Sequence, residues 1–170
     1  MALTIKRNGY GQVEPNHLSA QRTGQIYAQL PADNSIEILE NGMFVKYDMA
    51  NNKVAFTGAG EWMLVFNEIK LYDERKQGYK DYAMLKTDCL NGEMVPRVFK
   101  TNIGDIMTTN VVKEEEIKKG DSLVVGEDGI LAKYVPIAEE TKPESGMVWE
   151  VVAETTLPDG DPAVKVMRIQ

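Results

Sequence analysis

The chain has 170 residues, 43% of them hydrophobic and 26% charged, with a net charge of −7, one cysteine and one histidine. That length can bury a substantial core in one body. Cys89 alone excludes an internal disulfide and a cysteine zinc cluster, and His17 alone is too little for a histidine metal site or a His–His acid/base pair. The acidic balance argues against general nucleic-acid affinity, which needs clustered Lys and Arg to neutralise phosphates.

No apolar run approaches the roughly 20 residues that cross a bilayer, and the start MALTIKRNGYGQVEP lacks the apolar stretch of a secretory signal. The expectation is a product of the cytoplasm with no membrane partner. Charge is unevenly placed: residues 1–32 carry Lys6, Arg7 and Arg22 against Glu14, a local +2 that leaves −9 for residues 33–170. A basic segment on an acidic body is suited to docking on a separate acidic surface.

Residues 1–33 are punctuated by Gly9, Gly11, Pro15, Gly24 and Pro31 and show no sustained period, which predicts an extended arm with at most a brief helix after Asn16. Leu3, Ile5, Tyr10, Val13, Leu18, Ile26, Tyr27 and Leu30 make it too apolar for a disordered tail. The arm is expected to order on its own body or on a neighbour, and residues 34–170 to form a β-rich body.

The stretch 35–67 reads as a ladder of short strands. Met43, Val45 and Tyr47 fall on one face and Phe44, Lys46 and Asp48 on the other; Asn51-Asn52 turns the chain, and Val54 and Phe56 resume it. After Gly58-Ala59-Gly60, the run Trp62–Phe66 is apolar on both faces, as in a strand covered on both sides. In the charged stretch 68–80, Ile69 and Leu71 can extend that strand, and Asp73–Gly78 reads as an exposed connection. Tyr82, Met84 and Leu85, then Asn91-Gly92, then Val95, Val98 and Phe99 predict a hairpin.

Residues 102–109 are loop with a strand at Ile106–Met107, and Val111–Lys119 is a short helix or an exposed edge. Ser122–Val125 and Ile130–Val135 flank Asp128-Gly129 and predict a second hairpin. Residues 136–146 are a surface linker. Met147, Trp149, Val151 and Ala153 share a strand face, Leu157–Pro162 turns, and Val164–Ile169 pairs back. The segments starting at Ile38 and Ile117 each run aliphatic, polar pair, glycine, apolar strand, which predicts two related corners.

Candidate chemistry is sparse. Asp159-Gly160-Asp161 lacks the loop pattern of a calcium site, and Glu114–Glu116 and Glu139-Glu140 carry no spacing that sets two carboxyls across a cleft. His17 has no nucleophile elbow to serve, Cys89 has no neighbouring cation, and Gly58-Ala59-Gly60-Glu61 lacks the trailing Gly or Lys of a phosphate loop. Trp62, Tyr72, Tyr79 and Tyr82 are core and rim residues ahead of being a stacking platform. No catalytic, cofactor-binding or metal residue is assigned, and no cofactor is expected.

The punctuated arm followed by ENGMFVKYDMANNKVAFTG and, later, IKKGDSLVVGEDGILAKYV resembles the small all-β head decoration, or cement, proteins of tailed bacteriophages, also called auxiliary capsid proteins. The resemblance implies a mainly β protein, a small β-barrel or β-sandwich with an extended N-terminal arm. It would bind the outside of an assembled capsid at local two- or three-fold positions and clamp neighbouring subunits. Its partners would be major capsid protein and other copies of itself, as dimer or trimer, with no direct nucleic acid. It would be made in the host cytoplasm and reside on the virion surface. Ile5, Lys6, Arg7, Tyr10, Tyr27 and Leu30 are the expected capsid or inter-subunit contacts, an arm of this kind being able to add a strand to an exposed edge. The alternative is a carbohydrate- or host-binding β module of a fibre or cell surface, using a shallow aromatic patch around Trp62 or Trp149.

Overall fold

A strand apolar at every position needs a core on each side, and Trp62–Val65 obtains both. The computed structural model describes residues 3–7, 9–14, 30–67, 83–113, 115–135 and 146–170. Within it Met63 and Val65 enter one buried cluster while Trp62 and Leu64 enter another. The neighbouring strand Phe44–Asp48 splits the same way: Val45, with Tyr47 packed beside it, joins the first cluster and Phe44 joins the second. Lys46, on the Phe44 side, lies 4.6 Å over the Trp62 ring.

The protein is mainly β. Its strands in chain order are β1 (Leu3–Thr4), β2 (Val13–Glu14), β3 (Ile38–Glu40), β4 (Phe44–Asp48), β5 (Lys53–Ala55), β6 (Trp62–Val65) and β7 (Ala83–Leu85). They continue with β8 (Val98–Phe99), β9 (Ile106–Thr109), β10 (Glu116–Ile117), β11 (Ser122–Val125), β12 (Leu131–Lys133), β13 (Val148–Thr156) and β14 (Pro162–Arg168). Two open antiparallel sheets dominate, in the orders β5-β4-β6-β8 and β12-β11-β13-β14-β9-β2, and neither closes into a barrel. Two short ladders, β3-β7 and β1-β10, flank them.

The body repeats one design. In the first half Asp33 N–H donates to Val54 O (2.8 Å) and Val54 N–H to Pro31 O (3.0 Å), bridging the lead-in segment to β5. In the second, Lys113 N–H donates to Leu131 O (2.8 Å) and Leu131 N–H to Val111 O (3.3 Å), bridging to β12 in the same parallel sense. At the corners, Gly42 N–H donates to Val65 O (2.9 Å) and Val65 N–H to Met43 O (2.8 Å); Gly120 N–H donates to Val151 O (2.8 Å) and Val151 N–H to Asp121 O (2.9 Å). Both glycines hold the left-handed φ, 98° and 90°, that other residues adopt only at a cost. The two related corners expected from sequence are therefore present, and they extend to a shared strand order. Buried residues correspond as well: Leu39, Val45, Met63, Val65 and Val98 of one core match Ile117, Leu123, Trp149, Val151 and Val166 of the other.

The halves join at Phe44, the first residue of β4. Its N–H donates to Gly129 O (2.7 Å) and its ring meets Trp149 at 5.9 Å and 57°. At the C-terminal end of β14, Arg168 donates to Thr101 O, to Thr101 Oγ1 (3.0 Å) and to Glu61 Oε1 (3.0 Å), which places a nearly buried guanidinium between the halves. Such a cation is tolerable only because carbonyl, hydroxyl and carboxylate oxygens surround it.

The hairpin at Asp128-Gly129 forms, with Val125 opposite Leu131, and the strand at Ile106–Met107 extends to Thr109. Three expectations need correction. Asn91-Gly92 does turn the chain, with φ of 58° and 67°, but its flanks do not pair with each other: β7 pairs with β3, and β8 with β6. Val111–Lys119 is neither helix nor simple exposed edge, since Val111, Val112 and Ile117 are buried and Glu116–Ile117 is a paired strand. Ala153 leaves the face of Trp149 and Val151, because an irregularity in pairing after Val151 shifts the alternation by one and puts Ala153 opposite Lys165. The predicted helix after Asn16 and the connections at 68–80 and 136–146 lie outside the described residues, Gly146 excepted.

Candidate functional site

The described part of the arm is attached by strand addition. Leu3 and Thr4 sit opposite Ile117 and Glu116, and Val13 and Glu14 sit opposite Thr109 and Thr108, both antiparallel. Two-residue ladders are weak alone, so side chains do much of the holding. Ile5 is 2% exposed and belongs to the buried cluster of Val112, Ile117 and Trp149. Burying it is worth about 2–3 kcal/mol. Arg7 forms an ion pair with Glu40, whose residue is buried at the end of β3.

Gly11 marks the closest approach. A Cβ there would lie 2.5 Å from Val111 Cγ2, 2.8 Å from Glu40 Oε2 and 2.9 Å from Arg7 Nη1, so a larger residue would clash with Val111 and displace the tips of the Arg7–Glu40 pair. Gln12 is buried and saturates its backbone: its N–H donates to Asn110 Oδ1 (2.7 Å), and its carbonyl accepts from Thr109 Oγ1 (2.7 Å) and Asn110 N–H (3.4 Å). Its side-chain amide donates to Asp159 Oδ2. The arm thus touches β10, the end of β3, the end of β9 and the β13–β14 turn.

The six contact residues expected from sequence separate by orientation. Ile5 and Leu30 are buried in the chain's own cores, and Arg7 is committed to Glu40. Lys6 faces solvent and Tyr10 is 40% exposed, so these two of the six point outward. Tyr27 lies outside the described residues. Sequence inspection missed the receiving side: Glu40, Asn110, Ile117 and Asp159. Glu40 beside Gly42 was legible as a corner, but nothing local connects it to Arg7, 33 residues away.

The remaining candidates have structural employment. Asp159 takes Gln12 and also accepts from Asp161 N–H (3.1 Å), closing the turn on itself. Glu115 accepts from Lys133 N–H, and Cys89 Sγ–H donates to Leu85 O (3.3 Å). Trp149 is 0% exposed and Trp62 is 4% exposed under Lys46, so neither ring offers an open face to a sugar. A cleft of about 580 Å³ lies between Lys46, Phe56, Trp62 and Val125–Glu127, but its one cation is held on the Trp62 ring and by Gly58 O (3.4 Å). Among the described residues no three His, Cys, Asp or Glu side chains group to hold a metal ion, and no helix is long and apolar enough to cross a membrane. Tyr72, Tyr79, Tyr82, His17, Glu114, Glu139 and Glu140 lie outside the described residues.

Asp121 is the clearest tuned group beside the arm's partner strand. Burial pushes its carboxyl up, but the hydrogen bond and charge of Lys133 (Nζ–Oδ2, 2.8 Å) and the Lys118 N–H (3.0 Å) outweigh this and hold it below the ordinary 3.8. This pins the lead-in to β11. No family model, curated protein or solved structure matches the chain.

Proposed function

We propose that the chain is a non-enzymatic structural protein of a tailed-phage virion, binding the outer surface of the assembled capsid and stabilising contacts between major capsid subunits. The observation that supports this best is the mode of arm attachment: two short strands added to sheet edges, with one buried isoleucine and one ion pair as anchors. A segment built to order itself on β edges is suited to bridging subunits, where main-chain hydrogen bonds supply affinity and side chains set register. Repetition around a capsid symmetry axis raises avidity without a strong single contact. Lys6 and Tyr10 on the arm's outer side, in a chain whose body is acidic, are the residues that would meet the capsid.

Co-sedimentation of the purified protein with assembled empty capsids from the same source tests the proposal. Saturable binding at a fixed ratio to capsid subunits is expected, reduced by K6E and by Y10A. No binding at either low or physiological salt rejects it.

A further inference from the structure

The two halves differ in how the strand before each glycine corner finds a partner. In the first half β3 pairs with β7, a strand that lies between β6 and β8 of the same half. In the second half β13 passes directly into β14 through a tight turn, with Leu157 N–H donating to Asp161 O (2.8 Å) and Gly160 N–H to Leu157 O (2.9 Å). No strand equivalent to β7 is inserted there. The edge of β10 is filled instead by β1, from the far end of the chain.

The place beside β10 is therefore an acceptor site that its own half leaves incomplete. It consists of a strand edge, Glu116–Ile117, and a socket in the core that receives Ile5. Without an occupant, a core gap and unpaired backbone groups would face water.

We infer that this acceptor site binds the β1 strand of a second copy of the chain when copies are brought close together, so that arms are exchanged between neighbours. Exchange costs no contacts: Leu3 against Ile117, Thr4 against Glu116 and Ile5 in the socket are the same groups within or between chains. The Arg7–Glu40 pair and the Gln12–Asn110 and Gln12–Asp159 bonds travel with them, since every partner lies on the body. The outcome is set by the effective concentration of a chain's own arm relative to a neighbour's. Residues 15–29 join β2 to Leu30, and a chain of that length reaches at most about 50 Å. The inference rests on the decoration reading only for the crowding that a capsid surface provides.

Purified protein without capsids tests it, which keeps its failure separate from failure of capsid binding. Thr4 and Glu116 are exposed and directly opposite in register, a geometry that brings Cβ atoms to about 5 Å. In a C89S background, a chain carrying T4C is mixed with a chain carrying E116C under mild oxidation across a range of concentrations. A T4C–E116C disulfide dimer that grows with concentration, severalfold above the homodimers that collision produces, is expected. A double variant, T4C/E116C, serves as the reference and should close within one chain when dilute. Closure of the double variant with no excess of mixed dimer at any concentration overturns exchange. Failure of the double variant to close overturns the acceptor site itself.

Discussion

Arg7 and Glu40 form an ion pair that ties the N-terminal arm to the end of β3, with Glu40 nearly buried and Arg7 partly open to solvent. The strands β1 and β2 add to the second half of the body, and this pair ties the same stretch of chain to the first. Replacing Arg7 by Ala strands the Glu40 carboxylate, and an uncompensated buried charge costs more than the pair itself contributes. R7A should lower unfolding free energy by about 2–3 kcal/mol in urea titrations. R7A/E40Q should recover part of that loss, and equal losses in both variants would contradict the pair.

Ile5→Ala removes the arm's plug from the second core. A loss of about 3 kcal/mol is expected, as for other large-to-small core changes. Hydrogen exchange should accelerate at the backbone of residues 3–5 and 116–117 ahead of β6, whose apolar residues lie in closed cores on both faces. Uniform acceleration throughout the body would mean the arm is not a separable unit.

The equivalent corners at Gly42 and Gly120 should respond unequally to alanine. Both positions have positive φ, so each substitution costs on the order of 1 kcal/mol in backbone strain. At Gly120 nothing lies within 4 Å of the added Cβ, whereas at Gly42 Val111 Cγ2 would stand at 2.8 Å. G120A should therefore show strain alone and G42A strain plus overpacking, a further 1–3 kcal/mol by thermal or chemical denaturation.

Acid should weaken the lead-in to β11. The Asp121 carboxyl titrates below its ordinary 3.8 in the folded protein, so its contribution is complete above that value and disappears as pH falls through the lower folded one. Asp33, held down by Ser35 N–H and Oγ, and Asp48, held down by the Asn51 side chain and backbone, act in the same direction. Stability measured from pH 5 downward should drop less steeply in D121N than in the parent. A parallel pH profile would contradict the assignment.

Local chemistry was legible where the partner was near in sequence. Asp128-Gly129 between two apolar runs specified its hairpin, and the unbroken run Trp62–Val65 announced a strand with a core on each face. Asn91-Gly92 shows the limit: the turn was readable, because both residues take the positive φ that this pair favours. Its strands were not, because Leu85 finds Ile38 and Val98 finds Val65.

By itself the sequence determined a mainly β protein, two glycine corners and the strands on either side of them, since these follow from side-chain period and from backbone freedom at single positions. Only the tertiary structure decided that the corners belong to two matching halves, that Ile5 fills a core instead of facing outward, and that Arg7 meets Glu40. Those relations join residues tens of positions apart, and a pairing between distant edges is chosen by the shape and burial of the assembled core, which no short stretch of sequence encodes.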